Sequence, residues 1–292
     1  LGDDIVTDRN KGILYMLSSS LFFALMAAAV KFSGDIPTME KVFFRNIIGF
    51  LFSGYRIFKM GESFKGNNTR YLSYRGILGF LGVLLYFYAI DHLPLADAVV
   101  LNQLNPFFVI LLAALFLGEK IKKLQIPAIV SALMGVLFIA QPQFDYAFLP
   151  AALGIASSIF AASAYTMIRH LRLTDTPNLI VFYFTGISTI ITIPFITMGD
   201  FIIPNTITFL SLLSVGIFST AAQYLMTIAY RYAEAGDLSI YSYGNTVFSI
   251  LIGILLWGEV PNLMSSIGVI FVLGGAYINY IARRGISDGA TS

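Results

Sequence analysis

The sequence contains no cysteine. That absence excludes disulfides, thiolate catalysis and Cys-ligated metal centres together. Charge is also scarce: 12% of residues are Asp, Glu, Lys or Arg, well below the roughly 25% of an ordinary soluble domain. The only histidines, His92 and His170, are far apart in the chain, and no Ser-His-Asp or paired-carboxylate set falls within an apolar run. A metal centre, a hydrolytic site and a bound cofactor are therefore not expected. Basic and acidic residues nearly balance, 18 against 16, in short clusters between apolar runs, which reads as loop charge and not as a nucleic-acid surface. The first ten residues, LGDDIVTDRN, lack the apolar core of a signal peptide.

What the chain has in abundance is apolar length. The hydrophobic fraction is 57% and the mean hydropathy is +0.80, values expected of a chain built for lipid. Ten apolar runs are each long enough to cross a bilayer or nearly so: 12–32, 41–58, 74–91, 97–117, 123–140, 149–169, 178–198, 206–231, 237–257 and 263–282. The breaks between them carry turn chemistry, among it Ser33-Gly34-Asp35, Pro94, Pro142, Pro204-Asn205 and Pro261-Asn262. With the N-terminus in the cytoplasm, nearly all loop Lys and Arg residues fall on the inside. Only Lys31 and Lys41 fall outside, and Arg45 lies within the second run. Cytoplasmic N- and C-termini require an even number of spans, and ten satisfies this.

The stretch from Asp97 to Glu119, DAVVLNQLNPFFVILLAALFLGE, has an echo in DLSIYSYGNTVFSILIGILLWGE, from Asp237 to Glu259. Asp97, Asn105, Phe108, Ile110, Leu111, Leu115, Gly118 and Glu119 recur 140 residues later. Ser19-Ser20 likewise lies over Ser157-Ser158, and Lys31 over Arg169. This is an internal repeat. Each copy holds an odd number of spans, five, so the second enters the membrane from the opposite side. The expectation is an all-α membrane protein: ten transmembrane helices as two inverted five-helix repeats. The boundaries run as a tail over 1–11, a first repeat over 12–141, a linker over 142–148, a second repeat over 149–283 and a tail over 284–292. Inverted repeats are common in secondary transporters, because oppositely oriented halves supply inward- and outward-open states of similar energy.

Ten spans in five-plus-five form, with Gly-Glu closing the fourth and ninth, resemble the EamA-type branch of the drug/metabolite transporter superfamily. The segment from Arg75 to Ile121 and the FFRN of Phe43 to Asn46 carry the likeness most clearly. The resemblance implies a carrier for a small organic metabolite in the plasma (inner) membrane, working by alternating access around a central cavity. Amino acids, organic anions and nucleotide-derived compounds are all within its range. A receptor or assembly subunit without flux, or a membrane-embedded lipid-modifying enzyme, are the alternatives. Monomer or homodimer is left open, and the partners expected are the lipid bilayer and the metabolite, with no nucleic acid. Thr246 stands where the first copy has Pro106, so the sequence does not carry a shared kink to both sites.

Candidate site residues follow from polarity inside oily runs. Pro106 cannot donate a backbone hydrogen bond, so the Asn102 carbonyl loses its helical partner and needs a donor or a lined cavity. Asn102 and Asn105 share a helical face, and by the repeat Ser242 and Asn245 take their places in the second copy. These groups line a cavity, or they serve as amide glue between helices. Gln223, Tyr224, Tyr86, Tyr165 and Tyr241 add candidate contacts, since a tyrosine offers a ring and a hydroxyl. Arg45 is the one basic residue placed clearly inside a run. It is either an anion-recognition group or a snorkelling arginine paired with Asp35 or Glu40. No Asp or Glu falls near the middle of any run, which argues for facilitated diffusion or exchange over ion coupling.

Overall fold

A computed structural model of the chain describes residues 2–117, 123–140, 148–171, 174–199, 201–232 and 235–287. Residues 142–147 of the expected linker over 142–148, the end of the C-terminal tail and Glu119 lie outside the described residues. These residues contain helices and no strand: α1 (Gly2–Phe32), α2 (Thr38–Met60), α3 (Thr69–His92), α4 (Leu95–Asn102), α5 (Asn105–Leu117), α6 (Gln125–Ala140), α7 (Phe148–Leu171), α8 (Pro177–Met198), α9 (Thr206–Tyr232), α10 (Ala235–Ser242), α11 (Gly244–Trp257) and α12 (Leu263–Ser287). Among the described residues, eight segments are long and apolar enough to cross a membrane, counting α4 with α5 and α10 with α11 as one each. Large apolar side chains such as Leu51, Phe58, Ile190, Leu255 and Ile270 are exposed on the helix surfaces. Buried polar groups lie within, the distribution a lipid-facing bundle requires.

The principal helix contacts survive exchange of the two halves. α1 packs on α9 as α7 packs on α3, and α2 meets α9 as α8 meets α3. α1 lies along α10 and α11 as α7 lies along α4 and α5, while α2–α8 and α6–α12 each join equivalent helices. The α6–α12 pair is close because neither backbone carries bulk at the crossing. A Cβ on Gly135 would sit 2.6 Å from the Gly268 carbonyl oxygen, and one on Gly268 would sit 2.7 Å from that of Gly135. Ser131 Oγ completes the seam by donating to the Phe271 carbonyl at 2.6 Å.

At the centre lies α4, buried along Leu95–Leu101 on every side. Both α4–α5 and α10–α11 are one span interrupted partway. In the first, Gln103 and Leu104 form a turn, with Leu104 N bonded to Leu101 O at 3.3 Å in place of the four-residue ladder. In the second, Tyr243 forms the turn, and Thr246 N bonds back to Tyr243 O at 3.0 Å. The break therefore occurs in both copies although Thr246 replaces Pro106. Gly244, a poor helix former, follows the second turn directly.

Candidate functional site

The two breaks meet. Gln103 Nε2 donates to the Ser242 carbonyl at 2.8 Å, and Tyr243 Oη donates to the Gln103 carbonyl at 3.1 Å. Gln103 and Tyr243 stand 140 residues apart, the offset that superposes the copies, so each is the other's repeat equivalent. Neither belongs to the set expected from the sequence, in which attention fell on their neighbours.

Those neighbours mostly serve the breaks themselves. The Asn102 carbonyl, freed by Pro106, accepts from Asn105 Nδ2 at 2.9 Å. Asn102 Nδ2 donates to Ser157 Oγ on α7 at 3.0 Å. In the second copy Ser20 Oγ on α1 donates to the carbonyls of Tyr241 at 3.1 Å and Ser242 at 3.3 Å. One serine from each of the matching pairs, Ser20 on α1 and Ser157 on α7, thus braces the interrupted span of the other half. Asn245 is buried, with Oδ1 accepting from Ser249 Oγ at 3.4 Å. The ring of Tyr241 packs against the small cluster of Met16, Ala229 and Leu238.

A second polar centre lies where α2, α3, α7, α8 and α9 converge. Arg45 and Arg75 are both buried, each 4% exposed. By its place at the start of the third apolar run, Arg75 reads in the sequence as one of the inside loop charges. In the structure α3 begins at Thr69, which puts Arg75 in its second turn with its head group over Gly79. Gly79 is one of the glycines of that span, and its missing side chain is the space the guanidinium and Phe184 occupy. Both arginines approach the Phe184 ring, Arg75 with Cζ 4.1 Å from its centroid and Arg45 at 5.1 Å. The hydroxyl of Tyr165 lies within electrostatic reach of both, and Tyr86 is buried nearby in the range of Tyr165. Arg45 Nη1 donates to Asn46 Oδ1 at 2.7 Å, so pairing with Asp35 or Glu40 does not occur. Glu40 instead accepts from Ile202 N at 3.2 Å. Arg45 also borders a narrow crevice with Gly49, Val181, Phe184, Thr185, Ser219, Thr220 and Gln223.

Tyr224 belongs to neither centre. Its hydroxyl donates to Asn178 Oδ1 at 3.1 Å, and Asn178 Nδ2 donates to Glu62 Oε1 at 3.0 Å, near the end where α2 finishes and α8 begins. At the opposite end the carboxylates are also occupied. Gly258 closes α11 in the left-handed region, φ 65°, and so turns Glu259 back onto the bundle. Glu259 then pairs with Lys31 and accepts from Leu95 N at 2.9 Å, capping the start of α4. Lys41 pairs with Asp91 at 2.6 Å, and Asp97 Oδ2 accepts from Ser265 Oγ at 3.1 Å. Among the described residues no cluster of three His, Cys, Asp or Glu side chains could hold a metal ion.

Comparison with known proteins places these features in a family. The model of the EamA-like transporter family matches twice, over residues 10–141 and 149–281. The chain is 36% identical over 266 residues to the pseudopaline exporter of Pseudomonas aeruginosa, covering 90% of this chain and 93% of that one. It is 25% identical over 279 residues to a riboflavin transporter of Vibrio cholerae, with 92% of each covered. Human solute carrier family 35 member G1 is 24% identical over 279 residues, covering 90% of this chain and 76% of the human one. A solved crystal structure with 18% sequence identity shares the fold at a TM-score of 0.69, covering 95% of this chain and 99% of that one.

Proposed function

This chain belongs to the EamA-like transporter family, and from that premise we propose that it is a secondary carrier moving a small organic metabolite across the plasma (inner) membrane. In this reading ten spans form two inverted five-helix halves, residues 12–141 and 149–283, with both termini cytoplasmic. The halves alternate access to a central region bounded by the helix breaks and by the arginine cleft. Asn102, Asn105, Ser242, Asn245 and Tyr241 then shape and hold the breaks. Arg45, Gln223, Tyr86 and Tyr165 face the substrate's path, and Tyr224 secures the bundle end beside Asn178.

The observation that carries the proposal is the reciprocal bonding of the breaks through Gln103 and Tyr243. Discontinuous spans meeting at a repeat interface bring polar backbone into the membrane, where it is tolerated only if bonded or lining a cavity. A protein needing only a stable bundle has no use for two such interruptions. The pseudopaline exporter and riboflavin transporters among its relatives support a metabolite as cargo.

The test is counterflow in sealed vesicles. Labelled candidate metabolites should accumulate only when the unlabelled compound is loaded on the far side, and Gln103→Leu should reduce that accumulation at least about tenfold. Binding without trans-stimulation by any tested metabolite would favour a receptor over a carrier.

A further inference from the structure

We propose that Arg45 and Arg75 form a paired-guanidinium site for a small organic dianion, whether a dicarboxylate or a phosphate monoester. The proposal rests on the carrier reading for the route by which such a ligand arrives, and it adds the charge and class of the cargo.

Two buried guanidiniums inside a lipid-facing bundle need a reason. Ionised groups in such a setting are normally matched by a counter-charge. Here several carboxylates of the described residues are engaged elsewhere: Asp91 by Lys41, Glu259 by Lys31 and Glu62 by Asn178 and Thr176. Asp97 is held by Ser265, and Glu40 by the Ile202 backbone. No ion pair to either arginine is found among the described residues. Arg45 Nε and both Nε and Nη1 of Arg75 are buried donors without an acceptor. The two positive charges also lie close together, since both guanidinium carbons contact one ring, Phe184. Their separation cannot exceed the sum of those two contacts, a span that a short dianion can bridge.

Further polar groups border the pair. The cleft beside Arg45 brings Thr185, Ser219, Thr220 and Gln223 to the same edge, and Thr220 Oγ1 is buried without a partner. Both guanidiniums rest against the Phe184 ring, and Arg45 Nε with Nε and Nη1 of Arg75 are the donors left to grip an oxyanion. One negative charge would leave a net buried positive charge, whereas two cancel it. Charge-assisted bonds of this kind are about twice as strong as neutral ones.

The experiment is thermal unfolding of the purified full chain titrated with succinate, glycerol 3-phosphate, butyrate and the neutral analogue succinamide. Stabilisation by succinate or glycerol 3-phosphate, with butyrate and succinamide inert at equal concentration, supports the site, and the better of the two names the anionic group. Arg45→Gln and Arg75→Gln should each weaken that binding at least about tenfold, the loss of one charged contact. Arg75→Lys keeps the charge without the planar fork and should fall between Arg75→Gln and the unsubstituted chain. If the glutamine variants do not fold, the ligand series on the unsubstituted chain decides the matter alone. Equal stabilisation by succinamide, no preference among the four compounds, or undiminished binding in Arg75→Gln overturns the proposal. Dianion binding without counterflow would keep the site and remove the carrier reading. Counterflow of a neutral metabolite, unchanged in Arg75→Gln, would do the reverse.

Discussion

The two interrupted spans reach the same shape by different means. In the first, Pro106 removes the donor that the Asn102 carbonyl would have used, and Asn105, three residues on, supplies another from its own side chain. In the second there is no proline. Thr246 keeps its N–H but spends it on Tyr243 O, and the orphaned Ser242 carbonyl is met by Gln103 and Ser20 from the other half. One break is closed within its own helix, and the other is closed across the interface between halves. The interruption therefore does not depend on proline. It depends on a donor for the carbonyl left behind, which in a membrane has no water to turn to.

Mutations that withdraw those donors should separate the two cases. Gln103→Leu removes the shorter of the Ser242 carbonyl's bonds to the other half and so cuts a tie between halves. It should cost about 1–3 kcal/mol of stability as a lower unfolding temperature, with the largest loss of flux in the series. Asn105→Leu strips the local closure of the first break and should cost about 1–2 kcal/mol, with Pro106 still enforcing the interruption. Tyr243→Phe removes a single hydroxyl bond to Gln103 O. It should cost about 0.6 kcal/mol, the mean for such bonds between membrane helices. Thr246→Pro is the sharpest comparison. Proline within an intact helix costs about 3 kcal/mol, but Thr246 N makes only the short turn bond, so the variant should lose well under that. A loss of the full amount would mean that the second break depends on the Thr246 N–H after all.

Much of this was readable beforehand. The repeat offset put Gln103 and Tyr243 in equivalent places, and Pro106 marked where the first span would yield. The pairing of equivalent residues across the halves could not be read, because a repeat fixes positions within each copy and not contacts between them. The second break was hidden because its cause is a donor on another helix, invisible to a local signal such as proline. Arg75 was misplaced for a related reason. The apolar run begins after the helix does, so a residue near the start of the run looked like loop charge. Its depth comes from a long side chain lying over Gly79. Tyr224 erred in the other direction, since mid-run position did not foretell the bond to Asn178 at a helix start.

The most direct test of alternating access does not require knowing the cargo. Because the chain has no cysteine, Thr220→Cys places a lone thiol at the cleft beside Arg45. A small membrane-impermeant thiol reagent is then applied to one face of oriented vesicles and, separately, to the other. The carrier account predicts labelling from both faces. Labelling from one face only, at any time of exposure, would contradict it.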